Sequence, residues 1–340
     1  MTARVIGVDV GGTKVAAAPL TGAELGESHI EPTQLHSGDE LVDQIVTMVS
    51  GVRGADRLDG VGVGVPSVVE FETGRVVSSA NVPLADVRLR QELSARLDVP
   101  VFVDNDANVA ALAEAHDNSL RLLAHDLVML TVGTGVGGGL VLGGRIYRGA
   151  TGGAGEIGHT IVGLDVRTSV PRPEKFPQPG SLEFVASGHA LDRLAAQDAK
   201  EQPDSALGRL RAVGKSVLGP DAVEAAHAGD EAAQRIINEW GQRIGIGVAN
   251  AINTFDPEEV VIGGGAARAG DLLLAPAREV AAGYVLPGLG SRTMIRLARH
   301  GVRAGVLGAA LLAEQEVQGP TSREDAPWPE DTVQTTEVSG

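Results

Sequence analysis

Apolar positions along the chain fall into two periods. Runs in which nearly every position is apolar read as strands buried on both faces, and runs stepping by three and four read as helices with one buried stripe. Residues 5–10 form the first such strand, residues 15–20 a second and residues 24–31 a third. Leu41, Ile45, Met48, Val49 and Val52 share one face of a helix over 40–53, for which Asp39 is the expected N-cap. A Gly-rich strand over 58–65 stops at Pro66, residues 71–74 read as a hairpin turn, and 84–97 as a polar-faced helix. The strand over 99–103 runs straight into Asp104-Asn105-Asp106-Ala107-Asn108, where Asp104 or Asn105 caps a helix bearing Val109, Leu112 and Ala113.

The second half repeats the pattern. Residues 127–132 are a strand, 140–142 and 145–147 continue as strands around Gly143-Gly144, and 163–180 is a Pro-rich loop. A helix opening at 180–183 runs through Leu191 and Leu194, and 198–230 is helical with breaks. Over 232–255, Ile236, Trp240, Ile244, Val248 and Ile252 step by four, interrupted by Gly241, Gly245 and Gly247. Each interior glycine costs about 1 kcal/mol relative to alanine, so three of them imply a close helix crossing. The expected partner is the small-faced helix over 306–312. Between these helices, the strand at 260–262 ends in a glycine turn, Gly263-Gly264-Gly265-Ala266-Ala267. From 318 onwards Pro, Glu, Ser and Thr predict a disordered tail.

Composition narrows the chemistry. The 340 residues carry 28 basic and 44 acidic side chains, a net charge of −16, in a chain 43% hydrophobic and 21% charged. Two cores fit in that length, and the acidic field repels nucleic acid and anionic membranes. It also repels a nucleotide unless a cation intervenes, which brings Mg2+ into any phosphate-binding reading. With no cysteine, disulfides, thiolate nucleophiles and Cys-ligated zinc are excluded. No run reaches membrane-spanning length and no signal peptide opens the chain, so a cytoplasmic location is expected.

Three strand ends carry the candidate chemistry. After the first strand come Asp9, Gly11, Gly12, Thr13 and Lys14. The glycines are expected to turn with positive φ and bring N–H groups to phosphate oxygens, with Asp9 holding the metal. Thr131, Gly133, Thr134 and Gly135 restate that turn about 120 residues later, a spacing that suits one copy per lobe. Gly133, Gly135 and Gly138 spell a dinucleotide fingerprint, but a strand follows where that motif needs a helix. Gly208 with Gly214-Lys215-Ser216 has the wrong spacing for a Walker A loop. Asp104, Asn105, Asp106 and Asn108 are more polar groups than a helix cap requires, and Glu156 and His159 lie three apart in glycine-dense backbone.

Taken in order, 9–14, 105–108, 131–139, 156–159, 181–183 and 261–267 resemble the ROK family of sugar kinases, in particular its bacterial ATP-dependent glucokinases, over residues 4–317. The resemblance implies a duplicated α/β actin-like ATPase (ribonuclease H-like) fold with two lobes around a cleft. Residues 1–115 with 302–317 would be the small lobe, 116–301 the larger one and 318–340 the tail. The two Gly/Ala-rich helices would form the hinge between lobes. Asp9, Gly11, Gly12, Thr13, Lys14, Thr131, Gly133, Thr134 and Gly135 would hold the phosphates of ATP, and Gly264, Gly265 and Ala266 would border its adenosine. Asp9 would hold Mg2+ directly or through water. Pro66, Ser67, Asn81, Asn105, Asp106, Gly138, Glu156, His159 and Glu183 would hold a hexose, with Asp106 the general base; the helix start is expected to depress its basicity. A homodimer or homotetramer follows by analogy.

Three departures bear on the substrate. Zinc-containing relatives carry a Cys-rich loop after the His; here 163–180 has no Cys and Ser181 stands in place of the last thiolate, so no zinc site is expected. Ser67 follows Pro66 where many relatives have Gly. Asn81 is followed by Val82-Pro83-Leu84 without the usual Trp. The acceptor is therefore open between glucose and another hexose or N-acetylhexosamine, such as N-acetylmannosamine, N-acetylglucosamine, fructose or allose. Polyphosphate remains an alternative donor. A sugar-sensing regulator would need a helix-turn-helix ahead of the first strand.

Overall fold

The computed structural model describes residues 3–79, 81–164, 170–171 and 175–319. The first half of the chain forms β1 (Arg4–Val10), β2 (Lys14–Thr21), β3 (Glu24–Leu25), β4 (His29–Pro32), α1 (Gly38–Arg53) and β5 (Gly60–Val65). It continues with β6 (Ser67–Glu70), β7 (Arg75–Ser79), α2 (Leu89–Leu97), β8 (Val101–Asn105) and α3 (Asp106–Glu114). The second half opens with β9 (Leu127–Val132), β10 (Val136–Leu142) and β11 (Arg145–Ile146). Helices α4 (Leu182–Ala186), α5 (Gly188–Glu201), α6 (Ala206–Ala212), α7 (Gly219–His227) and α8 (Glu231–Phe255) follow. The last elements are β12 (Glu259–Gly263), α9 (Asp271–Tyr284), β13 (Met294–Leu297) and α10 (Ala304–Gln318).

Two sheets repeat one plan. The first has order β3-β2-β1-β5-β8, with β4 also on the free edge of β2; the second has order β11-β10-β9-β12-β13. In each, an antiparallel hairpin is followed by two parallel strands. Alternation sorts the side chains. Ile6, Val8 and Val10 join the core under α1 and α2, while Val5 faces the opposite core with Leu307 and Ala310 of α10. Likewise Val128, Leu130 and Val132 pack against α8, while Leu127 and Met129 face the central core. Strands buried on both faces explain the unbroken apolar runs in the sequence.

Between the sheets lie α10, against β1 and β5, and α3, against β10. Glycine makes both contacts possible: a Cβ on Gly62 would meet the Ala309 carbonyl, one on Gly308 the Val109 carbonyl, and one on Gly139 the Ala107 carbonyl. The strand β5 therefore reads Gly-Val-Gly-Val-Gly-Val, glycine inward and valine outward.

Several expectations are corrected. The N-cap of α1 is Ser37, whose side chain accepts from Glu40 N; Asp39 sits in the first turn. The third strand is split into β3 and β4, where Gly26 donates to the Pro19 carbonyl. Helix α2 begins at Leu89, not 84, because Val87 and Asp86 are tied back to Leu84 and Val76. The helix after 180 is broken at Ser187, which caps α5. The glycines of α8 do not meet 306–312. Gly241 and Gly245 press on Leu273, Pro276 and Ala277 of α9, and Gly247 on Leu182, so α8 and α10 are not a packed pair. Small faces on three helices gave the sequence no means to choose the partner. Residues 165–169 and 172–174 of the Pro-rich loop, and the tail from 320, lie outside the described residues.

Candidate active site

The two glycine loops are built alike. Gly11 N donates to the Lys14 carbonyl at 2.9 Å, and Gly133 N to the Gly135 carbonyl at 2.9 Å. The carbonyl of each leading glycine is also pinned: Gly11 O by Thr33 Oγ1 at 2.6 Å, and Gly133 O by Gly188 N at 2.7 Å. Among the described residues no protein group accepts from the N–H of Gly12, Thr13 or Thr134, and Thr13, Lys14 and Thr134 are exposed. Donors so arranged make an anion-binding concavity. Positive φ is not the device: neither Gly11 and Gly12 nor Gly133 and Gly135 take it. The need is room. A Cβ on Gly11 would lie 3.1 Å from the Lys14 carbonyl, and one on Gly135 would collide with Glu183 Oε2.

Register places the acids. Asp9, Gly64 and Asp104 are neighbours across β1, β5 and β8, at the carboxyl ends of parallel strands where ligands of open α/β sheets bind. Asn105 caps α3, accepting from Ala107 N at 2.9 Å and Asn108 N at 3.2 Å. Asp106 is thereby the first residue of α3, with its Oδ1 accepting from Ala107 N at 2.8 Å. Asp9 lies directly over Gly305 in the first turn of α10, where a Cβ would be 2.7 Å from its Oδ1.

Glu156, His159 and Glu183 gather at the start of β10. The segment before them threads through by glycine: a Cβ on Gly152 would meet the Val69 carbonyl, one on Gly138 the Gly155 carbonyl, and one on Gly158 the Val136 carbonyl. His159 Nε2 lies 3.8 Å from Glu156 Oε2, and its ring meets Phe176 edge-on at 5.4 Å. Leu182 N donates to the Thr160 carbonyl at 2.9 Å, which brings Glu183 beside this pair. Glu183 Oε2 accepts from Val136 N at 2.8 Å, so one carboxylate oxygen is committed to the second glycine loop.

The remaining sequence candidates sit around these. Asn81 is exposed and lies 3.7 Å from where a Gly12 Cβ would be. Pro66 is half-buried. Ser67 is buried, its Oγ donating to Ser79 Oγ at 2.9 Å and its carbonyl accepting from Asn105 Nδ2 at 3.2 Å. At the end of β12 the backbone enters a 3-10 turn, Gly264–Ala269, with Gly264 at φ +73 against Val132 beside the second loop. Gly264 and Gly265 are exposed, whereas Ala266 is in the core.

Burial and the nearby Asp9 charge, with a smaller push from Glu156, raise the Asp106 pKa to about 6, overcoming the hydrogen bond from Ala107. The depressed basicity expected of a helix start is thus reversed. Burial also raises Asp9, offset in part by Lys14. Among the described residues neither acid has an ion-pair partner, and no group of three or more His, Asp or Glu has the arrangement of a metal-ligand cluster. Sequence reading missed Thr33 and Gly188, which pin the loops, Gly305 under Asp9, and Arg148, which pairs with Asp104.

Comparison with known proteins identifies the family. The sequence profile of the ROK family matches residues 5–316. A glucokinase of Halalkalibacterium halodurans is 35% identical over 325 residues, covering 92% of this chain and 95% of its own. An N-acetyl-D-glucosamine kinase of Shigella flexneri is 34% identical over 320 residues, covering 90% and 98%. The crystal structure of a ROK family glucokinase from Streptomyces griseus, in complex with glucose and AMPPNP, superposes with a TM-score of 0.73 at 31% identity, covering 93% of this chain and all (100%) of that one. The repeated sheet order is that of the actin-like ATPase fold, and the chain belongs to the ROK family.

Proposed function

We propose that the protein is an ATP-dependent hexose kinase of the glucokinase type, transferring the γ-phosphoryl group of ATP to the 6-hydroxyl of glucose. Its relatives named for glucokinase activity, and the related structure bound to glucose and AMPPNP, support this reading. The observation that carries it is the position of Asp106. This acid lies at a helix start on β10, whose first residue ends the second glycine loop, and within electrostatic range of Asp9 and Glu156.

Phosphoryl transfer to an alcohol needs an aligned nucleophile, a group to take its proton, and compensation of charge on the transferring group. Asp106 takes the proton of the sugar hydroxyl; a pKa of about 6 leaves it ionised at neutral pH yet close to the operating range. Asn105, Glu156, His159 and Glu183 present acceptors and donors to the ring hydroxyls, with Asn81 and Gly138 at the margin and Pro66 and Ser67 shaping the floor. Gly11 to Lys14 and Thr131 to Gly135 hold the phosphates, and Gly264 to Ala266 flank the adenosine through backbone. Half-buried Asp9, without an ion-pair partner among the described residues and within electrostatic range of Asp106, is the group that would hold Mg2+ at the phosphate loops. Bound there with ATP, Mg2+ would neutralise phosphate charge.

A second acceptor is favoured by one relationship, the similarity to an N-acetyl-D-glucosamine kinase. A coupled ADP-release assay over a panel of hexoses and N-acetylhexosamines, with ATP and polyphosphate as donors, tests both. Glucose with ATP is expected to give the highest kcat/KM. ADP release independent of any sugar would overturn the reading.

A further inference from the structure

Arg148 lies outside every motif that marks the site. It follows β11 and precedes the glycine-dense segment bearing Glu156 and His159. Its Nε donates to Asp104 Oδ2 at 2.6 Å, with the Asp104 side chain 4% exposed and that of Arg148 19%. The other Asp104 oxygen accepts from Asn108 Nδ2 at 2.9 Å and Asn105 N at 2.8 Å. The guanidinium carbon stands 3.4 Å from the centroid of Phe71, in the turn closing β6 on β7. The Arg148 carbonyl accepts from Ala154 N at 3.0 Å. One residue therefore engages three pieces of chain: the start of α3 with Asn105 and Asp106, the ribbon that begins at Ser67, and the segment running to Glu156.

A buried ion pair is a weak source of stability, because desolvation offsets most of the attraction. It does supply geometry. A planar guanidinium bonded at its edge and stacked on its face is fixed in two directions, which a lysine ammonium cannot reproduce. We propose that Arg148 is a positioning residue for phosphoryl transfer, holding the base-bearing start of α3 in register with the Glu156–His159 segment so that the sugar hydroxyl meets Asp106. This rests on the reading of Asp106 as base and of Glu156 and His159 as sugar ligands. Because the phosphate loops are not among its contacts, the nucleotide is held independently of it.

The test is steady-state kinetics of Arg148→Met and Arg148→Lys, with the thermal midpoint and the AMPPNP Kd of each. A misplacement on the ångström scale costs on the order of 100-fold, so kcat/KM for glucose falls by about that factor in Arg148→Met. Arg148→Lys, which keeps charge and fold, falls less, and AMPPNP affinity stays unchanged in both. If Arg148→Met does not fold, Arg148→Lys decides. Unaltered sugar kinetics in a folded variant would overturn the proposal, as would nucleotide affinity lost in proportion to sugar affinity. If the unaltered protein released no ADP with any hexose, the reading of the site would fall, and the positioning role with it.

Discussion

Asp9 of β1 and Thr131 of β9 occupy the same place in the two sheets. Asp9 pairs with Ala16 and Gly64, and Thr131 with Gly137 and Gly263, each the penultimate residue of its strand before the hairpin turns. Duplication thus sets a carboxylate and a hydroxyl at matched strand ends, the first suited to a metal and the second to phosphate oxygen. Thr131→Val should raise the KM for ATP by about 10-fold or more, the worth of one hydrogen bond to a charged group. Glucose affinity by calorimetry should not change. An unaltered ATP KM would remove Thr131 from the phosphate site.

With Asp106 as the proposed base, its proton affinity is expected to set an acid limb. Because only the carboxylate accepts a proton, kcat/KM for the sugar should fall about tenfold per pH unit below about 6. Asp9 is one cause of the raised value, so the Asp106 carboxyl titration, followed by NMR, should move to lower pH in Asp9→Asn. A titration that stays in place would show that the Asp9 charge is not a cause of the raised value.

The same shift carries a stability consequence of definite sign. A carboxyl whose folded pKa is raised stabilises the native state below its unfolded value, and that contribution is lost as pH rises through about 6. Above that, the half-buried charge costs on the order of 3 kcal/mol. Asp106→Asn should therefore lose turnover by several powers of ten while gaining thermal stability at pH 7–8, with the gain fading towards pH 4. Thermal midpoints across pH check this; a variant equally or less stable at pH 8 would contradict it.

Glycine has opposite meanings at two places. Gly62 faces the Ala309 carbonyl, with no space for a Cβ, whereas nothing lies within 4 Å of one on Gly51 in α1. Gly62→Ala should cost about 2–3 kcal/mol by forcing α10 off the sheet. Gly51→Ala should instead gain about 0.5–1 kcal/mol of helix propensity. Denaturant midpoints of the two variants measure the contrast.

Local chemistry made much of this legible. Asp9 through Lys14 is a single stretch, so strand, loop and acid could be read together, and the repeat near Thr131 announced the second sheet. Relationships across the chain could not be read. Arg148 and Asp104 are separated by 44 positions, and nothing local to either marks the pairing. Glu183 bonding to Val136, Gly305 beneath Asp9 and the choice of α9 by the α8 glycines likewise depend on tertiary approach. The Asp106 pKa is illegible in the sequence for the same reason: a helix start is a local feature, whereas burial and the Asp9 charge come from elsewhere in the fold.

The most direct measurement is a crystal structure with glucose and AMPPNP bound together. An Asp106 carboxylate oxygen is expected within hydrogen-bond distance of the sugar 6-hydroxyl, with the hydroxyl oxygen facing the terminal phosphorus and both glycine loops on the phosphates. A sugar whose hydroxyls all lie beyond reach of Asp106, or a triphosphate away from the loops at Gly11 and Gly133, would contradict it.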